Sequence, residues 1–314
     1  FYNNGKSSKK LNNRGKSFGY QVLGFGSGGA AAVAGNDNGL FGYGDTPSKV
    51  SMTNKVSDAG VVATDTTGEG TARDDLAACQ YGEDKGIFGY GSTGSVSSLT
   101  NLVSNTGVVA TDVAGVGTAR RGIAACSYGG DKGIFGYGAN SAGSYIATTN
   151  LVSNAGVIAA DVAGVGTGRY TLAACEYGGD KGIFGYGYGG GGWPTITNSV
   201  SNTGVVASDV SNAGTGRQGG TACSYGGDKG IFAYGYLASA GGNLSISNLV
   251  SNTGGVSANV TGVGTDSATR GACEYGQDKG IFGYGDGSFL NLTNKVSDAG
   301  VVATDTTGVG TARQ

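Results

Sequence analysis

Residues 84–91 read Asp-Lys-Gly-Ile-Phe-Gly-Tyr-Gly, and the same eight residues return at 131–138, 180–187 and 278–285. They recur with Ala233 for glycine at 228–235 and, more loosely, as DNGLFGYG at 37–44. In an extended chain successive side chains alternate between faces. Phe88 and Tyr90 are therefore expected on one face, with Ile87, Gly89 and Gly91 on the other. A sheet with rings on one side and nearly bare backbone on the other can stack on copies of itself, each ring filling the hollow over the next glycines.

Two further blocks travel with this one. TN-x-VS-[ND]-x-G-VVA-x-D carries Asn54, Asn101, Asn150, Asn198, Asn248 and Asn294. GTAR-x-x-x-AAC-x-YG ends in Cys79, Cys126, Cys175, Cys223 and Cys273, with a degenerate AAAVAG at 30–35. The intervals between the repeat aspartates, from Asp37 through Asp84, Asp131, Asp180 and Asp228 to Asp278, are 47, 47, 49, 48 and 50 residues. All the variation lies between the strand glycine and the repeat asparagine, so insertions collect in one loop per unit, on one face. Each unit reads as four short strands, exemplified by 76–82 (a), 86–91 (b), 97–104 (c) and 107–112 (d), joined by Gly- and Asn-rich turns.

Composition narrows the alternatives. Glycine supplies 66 of 314 residues, which argues against helix, since an interior glycine costs about 1 kcal/mol relative to alanine. Proline occurs only twice and the glycines lack a three-residue period, so collagen is excluded. Charged residues are 13% and apolar ones 38%, which suits a packed core better than disorder. No apolar run approaches a membrane span. Histidine is absent, and with it the commonest general base and metal ligand.

Four strands in about 48 residues, repeated, is the mark of a β-propeller. The run GTARYTLAACEYGGDKGIFGYGYGG at 166–190 resembles a kelch repeat, from its small-x-Arg opening to a strand ending in glycines. It departs from kelch in lacking the tryptophan after strand c, near Gly107, and in replacing the double glycine by Phe-Gly-Tyr-Gly. The GIFGYG/VSNTGVVATD pattern is also similar to uncharacterised repeat proteins of environmental bacteria and tailed phages, some of them virion or adhesion proteins. The resemblance implies a propeller fold and leaves function open.

Residues 27–313 hold six units, and the last closely matches the first (NKVSDAGVVATDTTG at 54–68 and 294–308). Matching ends suit a ring, whereas an open repeat array would need polar caps. The expected architecture is all-β, a six-bladed β-propeller over 27–314 behind a basic arm at 1–26, with an open β-repeat array as the alternative. The arm carries Lys6, Lys9, Lys10, Arg14 and Lys16 and no acid, leaving the remainder at −7. Its alternating stretch SFGYQVLGFG at 17–26 is expected to be extended and to add to a neighbouring subunit's sheet edge. Nucleic acid is not favoured, because the five charges lack interleaved aromatics.

The five cysteines, one per unit, are expected to be small buried residues rather than disulfide or metal partners. Asp65, Asp112, Asp161 and Asp209 each stand eight residues before Arg73, Arg120, Arg169 and Arg217, as Asp305 does before Arg313. These read as structural pairs tying strand d to the next strand a. One unit breaks the pattern with Asn259, Asp266 and Arg270. Trp193, flanked by four glycines and Pro194, stands with Tyr188 in a b–c loop, and Tyr145, Tyr236 and Phe289 occupy comparable loops. These five are the candidate ligand or partner contacts. No catalytic, cofactor or metal residue is assigned. The expected function is a non-enzymatic structural and interaction protein of an extracellular filament, tail fibre or virion, self-associating through its arm. A glycan-binding adhesion propeller is the alternative.

Overall fold

A computed structural model describes residues 37–314 together with the short strand Val22–Gly24. The fold is all-β, built from small antiparallel sheets, none of which closes on itself. A single 3-10 turn, Ala238–Ala240, is the one helical element among the described residues. No helix is long and apolar enough to cross a membrane. The basic residues Lys6, Lys9, Lys10, Arg14 and Lys16, and the AAAVAG stretch, lie outside the described residues.

Two short two-stranded ladders, Arg120–Arg121 with Ala139–Asn140 and Arg169–Tyr170 with Tyr188–Gly189, accompany six main sheets. These six follow one another along the chain, each built on a three-stranded antiparallel meander. The second is typical: Ala77–Tyr81, Lys85–Gly89 and Thr100–Val103. Its register sets Cys79 opposite Ile87 and Phe88 opposite Asn101. The others begin at Ala124–Tyr128, Ala173–Tyr177, Thr221–Tyr225 and Gly271–Tyr275. In the first sheet that place is taken by Val22–Gly24, antiparallel to Gly39–Asp45. Part of the stretch read as an extended arm is thus a strand of the first sheet.

The hairpin between first and second strands needs two left-handed residues. Gly129 and Gly130 supply them in the third sheet (φ 62° and 80°), while Glu83 takes the second position in the second sheet at φ 70°. Strand d is less regular than the sequence suggests. In most units it pairs with the third strand only through isolated bridges, such as Val103 with Val109 and Thr100 with Val113. The exception is Val210–Ser211, a fourth strand beside Ile196–Val200.

One expectation is corrected. Phe88 and Tyr90 do not share a face: Phe88 packs on Tyr43 of the preceding sheet, whereas Tyr90 packs on Phe135 of the following one. The cause is the backbone of Tyr90, whose φ of 64° breaks the two-residue alternation. The equivalent Tyr43 and Tyr234 fall where the ladder shifts register, as an inserted bulge residue does.

The sheets interlock by the same contacts from unit to unit. Phe88 covers Gly42, Phe135 covers Gly89, Phe184 covers Gly136 and Phe232 covers Gly185. Phe41 of the first sheet covers Gly283 of the sixth in the same manner. Every one of these rings is buried, a contribution of about 1.5–3 kcal/mol each, and each edge-on tyrosine partner adds roughly 0.5–1.5 kcal/mol. The cysteines are free and buried, with Cys79 against Gly133 and Cys273 against Gly39.

Main-chain hydrogen bonds lace both ends of the first strands. At one end Gly82 N–H donates to Asp131 O, Gly129 to Asp180, Gly178 to Asp228, Gly226 to Asp278 and Gly276 to Asp37, at 2.7–3.0 Å. At the other, Gly122 donates to Asp75 O, Thr171 to Gly122, Gly219 to Thr171 and Thr269 to Gly219, at 2.7–2.9 Å. Val22–Gly24 lies against both Ala77–Tyr81 and Gly271–Tyr275.

Candidate recognition face

Most charge in the repeat is spent internally. Arg73 is fully buried and sits 4.4 Å above the ring of Tyr43. Its Nε donates to Tyr90 O at 2.9 Å, Nη1 to Thr71 O at 3.1 Å, and Nη2 to Asn101 Oδ1 at 2.6 Å. Asn101 in turn donates to Ala110 O and Asp112 Oδ1, and Asp112 accepts from the Thr71 amide and hydroxyl. Arg120 and Arg169 repeat this set on Asn150 and Asn198.

The ion pairs therefore differ from the eight-residue pairs read in the sequence. Arg73 meets Asp112 at 3.8 Å, Arg120 meets Asp161 at 3.8 Å and Arg169 meets Asp209 at 3.5 Å. Asp65 pairs with Arg313 at 3.8 Å, joining the first unit to the end of the chain. The reason is geometric: arginine and aspartate meet where the third strand returns over the start of its own unit, not along the connection between units. Arg217 faces Asn259 in place of an acid, and binds Asn248 Oδ1 at 2.9 Å. The repeat asparagines, fully buried at the centre of each set, were legible only as spacing marks.

The sixth unit solves the same problem from another position. Ser267 stands at the register of Arg73, and Arg270 at that of Leu76. From three residues later Arg270 still reaches 4.2 Å above Tyr234 and donates to Tyr284 O at 3.0 Å. It does not reach Asn294, whose Oδ1 is buried without a partner, and its own Nη1 is left without one.

Burial alone would raise the Asp112 carboxyl, but hydrogen bonds from Thr71 and Asn101 and the charge of Arg73 hold it below its usual 3.8. Asp65, Asp161, Asp209 and Asp305 are lowered in the same way. Burial pushes the hydroxyls of Tyr43, Tyr90, Tyr234 and Tyr284 up to about 12 despite the arginine above each ring. The cysteine thiols are raised by burial, so they are poor nucleophiles.

Three of the five expected contact residues come together. Tyr145 stacks parallel on Tyr170 with centroids 4.9 Å apart, Tyr188 stands edge-on to both, and Trp193 packs on Tyr188 at 5.3 Å. All four are half-buried, forming a ledge of aromatic faces and edges. Trp193 Nε1 donates to Gln218 Oε1 at 3.2 Å, and the backbone of Gln218 bridges to Tyr236. Tyr236 thus joins through Gln218 rather than through its ring. Phe289 makes no ring contact with the ledge among the described residues.

Beside the ledge, on the same end of the sheets, opens a cavity lined by Asp45, Asp74, Asp75, Thr171, Gly219, Thr269 and Gln314. Burial and the neighbouring Asp74 push the Asp75 carboxyl up to about 6, while Arg121, 3.7 Å away, opposes them. Lys49 holds Asp74 at 2.5 Å. Tyr170, in the short strand Arg169–Tyr170, and Asp75 stand at positions of constant spacing, not in the variable loops, so loop length gave no signal for either.

Among the described residues no group of three or more His, Cys, Asp or Glu is gathered to hold a metal. No family model and no curated protein matches the chain.

Proposed function

We propose that the six sheets are the blades of a β-propeller and that the protein is a non-enzymatic structural and interaction module of an extracellular filament, tail fibre or virion. The contact that carries this reading is Phe41 on Gly283, which repeats between the last and first sheets the ring-over-glycine seat of the first four neighbouring pairs. Between the fifth and sixth sheets Phe282 clusters with Ala233 instead. Rigidity follows from the repetition: each sheet is held on both sides by a ring, an arginine set and main-chain bonds. Charges engaged in such sets support a scaffold more than a catalyst. The rim supports association, since Val61, Val108, Val157, Val205 and Val301 are each 60–65% exposed along irregular edges.

In this reading the arm, with Lys6, Lys9, Lys10, Arg14 and Lys16, contacts a neighbouring subunit. Removing residues 1–16 leaves Val22–Gly24 in place, so the fold is preserved while the charges are lost. The expected result is a drop from assemblies to single chains by light scattering. Unchanged mass would overturn the arm's role.

The aromatic ledge favours a second reading, a carbohydrate-binding propeller. Sugar rings present apolar faces to aromatic side chains and hydroxyls to carboxylates and amides, and Tyr170, Trp193, Gln218 and Asp75 offer that combination within one face. Screening against a glycan array discriminates the two, because a scaffold is indifferent to sugars and Trp193→Ala should abolish a true glycan signal.

A further inference from the structure

The second position from the end of each first strand carries a different residue in each unit. It is Gln80, Ser127, Glu176, Ser224 and Glu274 in sheets two to six, at a place where the arginine sets, cysteines and tyrosines hardly vary. The registers are equivalent, with Glu176 opposite Gly182, Ser224 opposite Gly230 and Glu274 opposite Gly280. Because neighbouring first strands pack side by side, these residues converge. Glu176, Ser224 and Glu274 line one small cavity with Tyr177 and Asp228, at the end of the sheets opposite the aromatic ledge.

Two carboxylates in that cavity are each only 3% exposed. Both oxygens of Glu176 are buried and meet no hydrogen-bond donor, and no ion pair reaches them among the described residues. An uncompensated buried carboxylate costs several kcal/mol, so such a group takes up a proton or a cation. Burial and the nearby Glu274 drive its carboxyl well above the usual range. Ser224 donates to Glu176 O at 3.2 Å, which places its hydroxyl at the wall of the same cavity.

We propose that Glu176 and Glu274, with the Ser224 hydroxyl, hold a hard divalent cation of the calcium class between sheets four and six. The donors are all oxygen, and the two carboxylates match a charge of two. Calcium accepts six to eight oxygens in irregular geometry, whereas magnesium demands a compact, near-ideal octahedron that two glutamates and a hydroxyl from three different strands do not preform. Water and main-chain carbonyls complete the shell. The cation ties together strands from three sheets whose first strands already pack side by side.

The test is calorimetric titration of the metal-free full chain with calcium chloride, with magnesium chloride in parallel, accompanied by thermal unfolding. One calcium per chain is expected, with magnesium weaker, and a rise in Tm of roughly 5 °C when calcium exceeds Kd a hundredfold. Glu176→Gln should raise the metal-free Tm by removing the unpaired charge, and lose at least tenfold in calcium affinity. Glu274→Gln should lose affinity likewise. Absence of heat and of any Tm change in the unmodified chain would overturn the proposal and leave the pair to a proton or an amine. So would a calcium response that survives in both variants.

Discussion

The ring of Phe41 lies against the backbone of Gly283, where an added Cβ would stand 2.8 Å from Cζ. The two residues belong to the first and last sheets, so this contact is the seam of the molecule. Gly283→Val should cost about 1–3 kcal/mol by overpacking, and Phe41→Ala about 3–5 kcal/mol by leaving a cavity. The double variant should be markedly more stable than the sum, because the valine then occupies space the ring has vacated. Urea midpoints of the four proteins read the coupling directly; strict additivity would mean that the seam is open in solution. Ala233 shows that a single methyl is tolerated at this register, which is why valine is the informative choice.

Arg270 reaches Tyr234 from the register of a leucine, and the exchange leaves polar atoms stranded at Asn294 and at Arg270 itself. Arg270→Leu alone should destabilise by roughly 3 kcal/mol or more, since it strips a buried set of its cation. Adding Ser267→Arg restores the arrangement of Arg73, in which the guanidinium reaches both the tyrosine carbonyl and the asparagine. The double variant should therefore exceed the natural protein by about 1 kcal/mol, the worth of a hydrogen bond regained. Thermal unfolding of the single and double variants decides it; a double variant no better than Arg270→Leu would show that the connection in this unit cannot accept the standard register.

Much of this was visible in the eight residues around Gly89. Ring-over-glycine packing, the turns, the free cysteines and the single variable loop per unit all follow from spacing, because each depends on residues near one another in the chain. What spacing could not supply was the partner of each arginine. Asp65 and Arg73 are eight residues apart and do not pair with each other: Arg73 meets Asp112, and Arg313 closes on Asp65 from the other end of the sequence. The tyrosine face was misjudged for a local reason: alternation assumes φ below zero, and Tyr90 sits at 64°. Tyr170 and Asp75 were missed as site residues because the positions before each cysteine, which change from unit to unit, carry no mark that several of them meet at one cavity.

Opposing carboxylates set the pH range of stability. Asp65, Asp112, Asp161, Asp209 and Asp305 are lowered in the folded chain, so their contribution is present above the unfolded value near pH 4 and is lost as pH falls below it. Asp75 is raised to about 6, so its contribution is full below about pH 4 and is lost as pH rises toward 6. Stability should therefore peak at about pH 4–5 and decline as pH rises toward 6, the raised Glu176 carboxyl adding to that decline. Asp75→Asn should flatten the upper limb, and Asp112→Asn with Asp161→Asn the lower. Asn259 already fills the aspartate position in one unit, accepting from the Thr215 amide at 3.0 Å, so asparagine keeps the geometry. Urea midpoints from pH 3 to 8 report both limbs; an acid limb unchanged in the double variant would place the acid sensitivity elsewhere.

Trp193 is the one tryptophan of the chain, so its emission reports on the ledge without labelling. Its indole packs edge-on to Tyr188 and is pinned by Gln218, an arrangement held ready rather than formed on binding. If the face takes a sugar, titration with the cognate glycan should shift or quench that emission in proportion to occupancy. Tyr188→Ala should then weaken binding at least tenfold, by removing the support of the indole and the edge of the Tyr145–Tyr170 stack together. Asp75→Asn should weaken it less, and more at pH 7 than at pH 5, because the carboxylate that accepts sugar hydroxyls is already largely protonated at the lower pH. Emission that stays constant across a glycan panel, with binding unaffected by Tyr188→Ala, would leave the ledge as internal packing of the loops and the scaffold reading alone.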